Sequence, residues 1–442
     1  MRSLKGARRL IAAGVLIEAA LFGLFLCDSP RANIPVFFLC YTTAFLAYVV
    51  AIGARSSVSL RTVVLFGVLF RLTVLMVPPS LSDDIHRYVW DGSVQNLGIN
   101  PYLYAPDDVP EDKASRIGVG RDRINHSHLH TIYPPVAQLF FRLATYSHAS
   151  AWSVKVGILL ADFFAAWFIV GLLRVFDLDQ RSVLLYFWNP LLLVEGGIEG
   201  HIDVVGAAFV VLALLYGQVS GPGRAAFALA FAALTKLVPV AVLPVLWRWS
   251  TAGEDAGVMG RVRAMLRPRG WIVPGIFLIV CGAFYGAYSK PGVGLLGSFT
   301  TYVVDWEFNG LLFGVLRDLM GHGHVVRLLL GGVFVLVVIG VTLSGLPALA
   351  GMFTLFLVFL FLTPTLHPWY ALWIVPFLPF YPYKPAIALT GSIASAHHVL
   401  ISYEATGVWA ESPWIPWFVW GLPASIAGWS FLRQRRKKRA YF

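Results

Sequence analysis

Apolar runs close to the ~20 residues needed to cross a bilayer recur along almost the whole chain,. In lipid only helices and closed barrels satisfy their own backbone hydrogen bonds. Continuous apolar runs, without the alternation of a barrel strand, predict helices. Crossings are predicted near 10–27, 34–53, 61–79, 151–172, 182–194, 203–218, 224–235, 237–247, 271–288, 325–346, 348–363, 368–381, 385–402 and 413–432. Only 13% of residues are charged, against about 25% in a soluble domain. The expected fold is therefore an all-α, polytopic transmembrane helix bundle of about 12–14 crossings, some of them short broken helices. It reads as a single domain over residues 1–442, and the start MRSLKGARRL leads into a retained anchor rather than a cleaved signal,.

The net charge of +11 does not indicate a nucleic-acid partner, because the basic residues sit in short loops and at the ends. With the N-terminus inside, the inner segments hold Arg2, Lys5, Arg8, Arg9, Arg55, Arg61, Arg174, Arg181, Arg224, five arginines between 248 and 269, Lys384, and six basic residues in RQRRKKR. The same segments hold four acids, Asp177, Asp179, Glu254 and Asp255. That excess predicts two cytoplasmic termini, with the basic tail against anionic membrane lipids. Cys27, Cys40 and Cys281 all lie in apolar runs and suggest neither a disulfide framework nor a metal site,.

This topology places residues 80–150 outside, as the longest polar stretch of the chain. A loop of that length is usually functional or disordered, and its Tyr, Trp and Pro content favours order. Within it VAQLFFRLATYS (136–147) reads as an amphipathic helix lying on the membrane,. All eleven histidines fall on this same side. Titratable groups are thus concentrated where a site would be. No internal repeat is evident, unlike many transporters.

The third predicted crossing runs into VPPSLSDDIHRYVWDG. Asp83 and Asp84 follow closely on Pro78–Pro79 and so lie at the membrane–water boundary. A partly desolvated carboxylate there has a raised pKa and suits a general base. Two adjacent carboxylates repel, which favours a bound cation or a partner such as Arg87. The alternative is a helix N-cap supplied by Ser82 or Asp83, which accounts for one acid but not two. Downstream, His126, His128 and His130 alternate and would share one face of a strand, as metal ligands or as ordinary loop polarity. Tyr133, held extended before Pro134–Pro135, could project its hydroxyl into a cleft.

This order of features, an acidic pair after an early crossing, a Tyr-rich stretch, then Tyr133-Pro134-Pro135, resembles the GT-C superfamily of membrane glycosyltransferases. It is similar to the catalytic subunit of GPI mannosyltransferase I and to bacterial polyprenol-phosphate-mannose-dependent transferases. Two crossings before Arg61 are additional to a plain GT-C start. YFWNPLLLVEGGIEGHIDVV (186–205) resembles the family's stretch that ends a helix near Asn-Pro. It gathers Glu195, Glu199, His201 and Asp203 at the outer mouth of the bundle, as site residues or as a solvated connection. Lys236 lies before Pro239 between two short apolar runs. A lone Lys there costs ~2.5–3.5 kcal/mol at the bilayer centre unless it snorkels. The resemblance implies a different use, neutralising the lipid-linked phosphate of the donor. SFTTYVVDWEFNGLLFG (298–314) brings Asp305, Trp306 and Glu307, of which an aromatic belt explains only the Trp. His367-Pro368-Trp369-Tyr370 is similar to a stretch that lines the donor site in related bacterial sequences.

The resemblance implies transfer of a sugar, mannose in the first instance, from a polyprenyl-phosphate donor to a lipid, glycan or protein acceptor, with inversion. Asp83 or Asp84 would be the base, and Lys236, Arg87 and His367 would meet the phosphate. His126, Tyr133, Glu199, His201, Asp203, Asp305, Glu307, Trp369 and Tyr370 would contact substrate. The carrier phosphate is already a leaving group, so no cofactor is expected, with a divalent metal left open. No P-loop or Gly-rich nucleotide fingerprint is present. The expected location is the bacterial cytoplasmic membrane, with the site facing out. The competing class is a transporter or flippase, for which Glu18, Arg71 and Asp162 could mark a path within the membrane.

Overall fold

A computed structural model describes residues 2–27, 29–251, 257–290, 294 and 296–439, with side chains from residue 4 to residue 433. Glu254, Asp255 and the side chains of Arg2 and of the basic tail beyond Arg433 lie outside the described residues. Among the described residues the protein is helical, its extended pairing limited to isolated bridges from Phe308 and Asn309 to Thr365. Six helices are long and apolar enough to cross a membrane: Leu4–Leu26, Ile34–Ser57, Ala151–Val175, Pro268–Tyr288, Gly323–Leu343 and Ile415–Arg433. The pieces Leu192–Ile198 and Asp203–Val219, which meet at a bend of 115°, make a seventh span if counted together. The protein is therefore an all-helical polytopic bundle with the composition and helix lengths of a membrane protein.

Several of the fourteen predicted crossings are not single helices. Residues 182–194 fold as a 3-10 turn, the short helix Leu184–Phe187, and the start of a π-helical turn Leu192–Ile198. Residues 368–381 are two 3-10 turns, and residues 385–402 are a 3-10 turn between two short helices. Pro190, Pro368 and Pro376 lack the N–H that continues a helical ladder. These segments are almost wholly buried by protein, which is the setting in which irregular backbone is tolerated at membrane depth. An apolar run marks burial, and here the burial is in protein.

Pro222–Thr235 and Val238–Trp249 form the expected pair of short helices. Lys236 breaks them with an extended backbone, φ −154° and ψ 142°, and Pro239 lies in the 3-10 turn Val238–Val242 that opens the second. Pro135–Ala144 is amphipathic, as its sequence suggests. Its buried face of Val136, Ala137, Gln138 and Phe141 packs on protein, chiefly the helix Asp84–Asn96, rather than on lipid alone.

The charges that could have marked a permeation path are ties between helices. Arg71 Nε donates to Asp162 Oδ2 at 2.7 Å, and its guanidinium also reaches the Phe187 carbonyl and lies 3.7 Å from that ring's centre. Both members of this pair are buried. Removing one partner of such a pair costs about 3–5 kcal/mol. The Thr73 hydroxyl donates to Glu18 across the first and third helices.

One joint fixes the position of the acidic pair. Leu60–Met76 begins at Ser59, whose hydroxyl accepts from Thr62 N, and ends ahead of Pro78–Pro79. Its terminal carbonyls would be orphaned. The buried Lys155 ammonium donates to Val74 O at 2.9 Å, Leu75 O at 3.1 Å and also to Val77 O. Further along the same strap, the Glu199 carboxylate accepts from the N–H groups of Ser80, Leu81 and Ser82 at 3.0–3.2 Å. A cation on the carbonyls and an anion on the amides thus pin residues 74–82, and Asp83–Asp84 emerge immediately afterwards.

Candidate active site

A cavity of about 690 Å³ opens where the polar insertion, the Lys236 break and the later outer segments converge. Eleven of the fourteen residues expected to act as base, meet the phosphate or contact substrate line it: Asp83, Asp84, Arg87, His126, Tyr133, Lys236, Asp305, Glu307, His367, Trp369 and Tyr370. They come from positions far apart in the chain.

The two acids are not equivalent. Asp83 Oδ1 is 2.9 Å from Arg31 Nη2, and Arg31 also faces Glu404 at 3.7 Å. Asp84 has no tight partner. The Tyr133 hydroxyl is 3.5 Å from its Oδ2, and His201 Nδ1 is 3.7 Å from the same oxygen. The Asp84 side chain keeps 30% of its surface open to the recessed cavity. Burial pushes its carboxyl above the usual range, His201 and Lys236 pull it back, and Asp203 and Asp83 add to the rise. Burial, with Asp84 next in effect, holds the Tyr133 phenol well above its usual value, so it stays a donor. Neither acid is a simple cap: Asp83 makes no side-chain capping bond, and Ser82 Oγ accepts only from Asp84 N, at 3.3 Å.

Arg87 is not the counter-ion of the acid pair. Its Nε donates to Asp91 at 2.7 Å and its Nη1 to Leu129 O at 3.0 Å, while Nη2 is buried without a partner among the described residues. The partner of Asp83 is Arg31, which the sequence reading missed because it lies near the start of the second crossing, where a single Arg looks like a flank.

Lys236 donates to both oxygens of Asp203 at 2.8 Å and lies 4.6 Å from the centre of the Tyr370 ring. Asp203 also accepts from Trp373 Nε1 at 2.7 Å. The ammonium carries three N–H donors, and Asp203 engages its charge from behind. His367 stacks between Phe308 and Trp369, at 4.7 and 4.3 Å. Burial, with Lys236 next in effect, pushes it down to about 3, so it is a neutral hydrogen-bonding group at ordinary pH and adds no cation.

Residues 23–251 match the family model of the alpha-(1->6)-mannopyranosyltransferase N-terminal domain, MptA/B family. The chain belongs to this family. No match is found among curated proteins or among solved structures. This MptA/B-family protein is accordingly a membrane glycosyltransferase of the mannosyltransferase kind. The matched span carries Asp83, Asp84, Tyr133 and Lys236; the rest of the lining, from Ser298 to Trp409, lies beyond it.

Three predicted substrate contacts of the MptA/B-family protein sit behind the wall instead of on it. Glu199, His201 and Asp203 are at most 1% exposed, and none lines the cavity. Glu199 holds the backbone strap, Asp203 holds Lys236, and His201 stacks on Trp369 at 4.0 Å. The three lie close together in the fold, as their spacing in the sequence requires, but the sequence did not show which way each faces. Glu307 lines the cavity while paired with Arg317 and Arg327. Asp305 also lines it. The three histidines do not share a strand face: His126 has φ +54° within a run of turns. It contacts Trp306 edge-on at 4.8 Å, and His130 Nε2 lies 3.3 Å from Leu103 O. Among the described residues no group of three metal-ligating side chains forms. His397, Tyr403 and Trp409 complete the rim and were not singled out from sequence, since nothing local distinguishes them from other outer-end residues.

Proposed function

We propose that this mannosyltransferase takes mannose from a polyprenyl-phosphate-linked donor and transfers it to a hydroxyl of a lipid or glycan acceptor on the extracytoplasmic face, with inversion at the anomeric carbon. The observation that carries this reading is the sharing of one cavity by Asp84 and Lys236, an under-engaged carboxylate and an ammonium. Asp84 is the base, because Asp83 is occupied by Arg31. Deprotonation of the attacking hydroxyl by a positioned carboxylate contributes ~10²–10⁴-fold. Lys236 meets the negative charge that develops on the departing phosphate, the kind of electrostatic stabilisation that dominates many enzymes. Arg87, through its unmatched Nη2, is the second donor to that phosphate, and neutral His367 is a hydrogen-bonding contact. Tyr133 orients Asp84. Trp369, Tyr370, His126 and the rim acids shape the sugar pockets.

A lipid-linked phosphate is itself the leaving group, which agrees with the lack of a nucleotide-binding fingerprint in the sequence. Charge bias in the loops supports an outward-facing site and inner termini. The test is transfer by purified protein in liposomes, supplied with synthetic polyprenyl-phosphate mannose or with a nucleotide-activated mannose, and an α-mannoside acceptor. Product from the lipid donor alone, with inverted anomeric configuration, is expected. Product from the nucleotide donor alone would overturn the reading.

A further inference from the structure

Behind the cavity wall lies a polar chain that binding and deprotonation of the substrates do not use. His201 sits on the bend between Leu192–Ile198 and Asp203–Val219. Its Nδ1 faces Asp84 Oδ2 at 3.7 Å, and its Nε2 faces Glu195 Oε2 at 3.3 Å. The other Glu195 oxygen is 2.8 Å from His397 Nε2. Glu195 and His201 are fully buried. Among the described residues, neither His201 nitrogen, nor Glu195 Oε2, is aligned in a hydrogen bond. Such unmatched buried groups are uncommon and call for an explanation. One face of the imidazole lies against Trp369, 16° from parallel, and an indole face favours a cation.

We propose that His201 is the second proton acceptor of the transfer reaction, taking from Asp84 the proton that Asp84 takes from the acceptor. The proposal rests on Asp84 being the base. As the acceptor oxygen bonds to the anomeric carbon, the bond from that carbon to the carrier phosphate oxygen breaks, and the phosphate leaves with the electron pair. The hydroxyl proton moves to Asp84 Oδ2 and then to His201 Nδ1. Asp84 is a carboxylate again, and His201, which keeps its Nε2–H toward Glu195, is an imidazolium. Glu195 balances that charge, and His397 holds the second Glu195 oxygen in place. When products leave, the proton returns through Asp84 to water. The gap of 3.7 Å closes in the substrate complex, as catalytic hydrogen bonds often do. The charged and titratable groups facing His201 are Asp84, Glu195, Glu199 and His367. His201 acts through Asp84 and is a positioning residue.

The test is the pH profile of kcat with polyprenyl-phosphate mannose for the parent, Asp84→Asn, His201→Gln and Glu195→Gln, with thermal unfolding of each in detergent. The parent's acid limb is expected to report two ionisations, since transfer needs both Asp84 ionised and His201 neutral. His201→Gln leaves one ionisation and lowers kcat by less than the ~10²-fold expected from losing the base itself. Glu195→Gln removes the counter-ion of the imidazolium and moves one limb to lower pH. If both variants scale kcat down equally at every pH, the cluster is structural and the proposal fails. If His201→Gln does not fold, the shift in Glu195→Gln decides, and its absence overturns the proposal. Near-parental transfer by Asp84→Asn would instead remove the base reading, a separate outcome.

Discussion

Asp84 carries two consequences that point in opposite directions. As a base it must be ionised, so transfer falls as pH drops through its raised value, and the acid limb lies above the usual carboxylate range. Asp84→Asn is expected to lower kcat by ~10²–10⁴-fold with substrate binding largely kept, measured by mannose transfer in proteoliposomes. For stability, a carboxyl whose folded-state value is raised by burial contributes fully at acid pH and loses that contribution as pH rises through the raised value. The Asn variant should therefore unfold at a higher temperature than the parent near neutral pH. The difference should vanish at low pH; a parent more heat-stable at both would contradict the raised carboxyl. Lys236→Ala should raise KM for the donor more than for the acceptor, and equal effects on both would count against a phosphate contact. The two acids show how far local sequence reaches. Their adjacency was visible, but the asymmetry between them comes from Arg31, about fifty residues upstream.

At the scale of elements, the strap between the third helix and the helix Asp84–Asn96 is held by Lys155 on its carbonyls and by Glu199 on its amides. Glu199→Gln keeps the shape but loses the charge-assisted bonds to three N–H groups. A loss of about 1–3 kcal/mol is expected for groups left short of partners, read as a lowered unfolding temperature with a parallel fall in kcat. Unchanged stability would mean that the strap is held elsewhere. Gly200 is the other critical point of this joint. Its φ of +70° makes the bend between the two helical pieces, and a Cβ there would lie 2.9 Å from the Ile85 side chain. Lys155 was hidden within a predicted crossing. A buried Lys in an apolar helix is itself a signal, but its partners, the carbonyls of another helix, have no mark in the sequence.

For the whole molecule, the proposed orientation rests on loop charge. In a chain bearing Cys27→Ser, Cys40→Ser and Cys281→Ser, a membrane-impermeant maleimide applied to intact cells should label Asp107→Cys and leave Asp177→Cys unlabelled until the cells are opened. Both positions are exposed. The reverse pattern would place the cavity on the cytoplasmic side and remove the lipid-linked donor reading. The cavity gathers residues from Arg31 to Trp409, so removal of the segment after residue 251 should abolish transfer even though the family-matched span 23–251 is left intact.

The helical, membrane-protein character of the chain was written in apolar run length, and the proposed outward orientation of the site rests on the placement of Arg, Lys and His. Both are one-dimensional properties, because hydrophobic thickness and charge bias act on segments. The Asp83–Asp84, Lys236 and His367-Pro368-Trp369-Tyr370 motifs could likewise be picked out locally. Which apolar runs became regular helices depended on three-dimensional burial, as at 182–194 and 368–381. Only packing turned Glu199 toward a backbone strap, Asp203 toward Lys236, and His201 toward both Asp84 and Glu195. Side-chain direction at the bend after Glu195 depends on segments 33 to 119 residues away, and contact at that range leaves no trace in neighbouring letters.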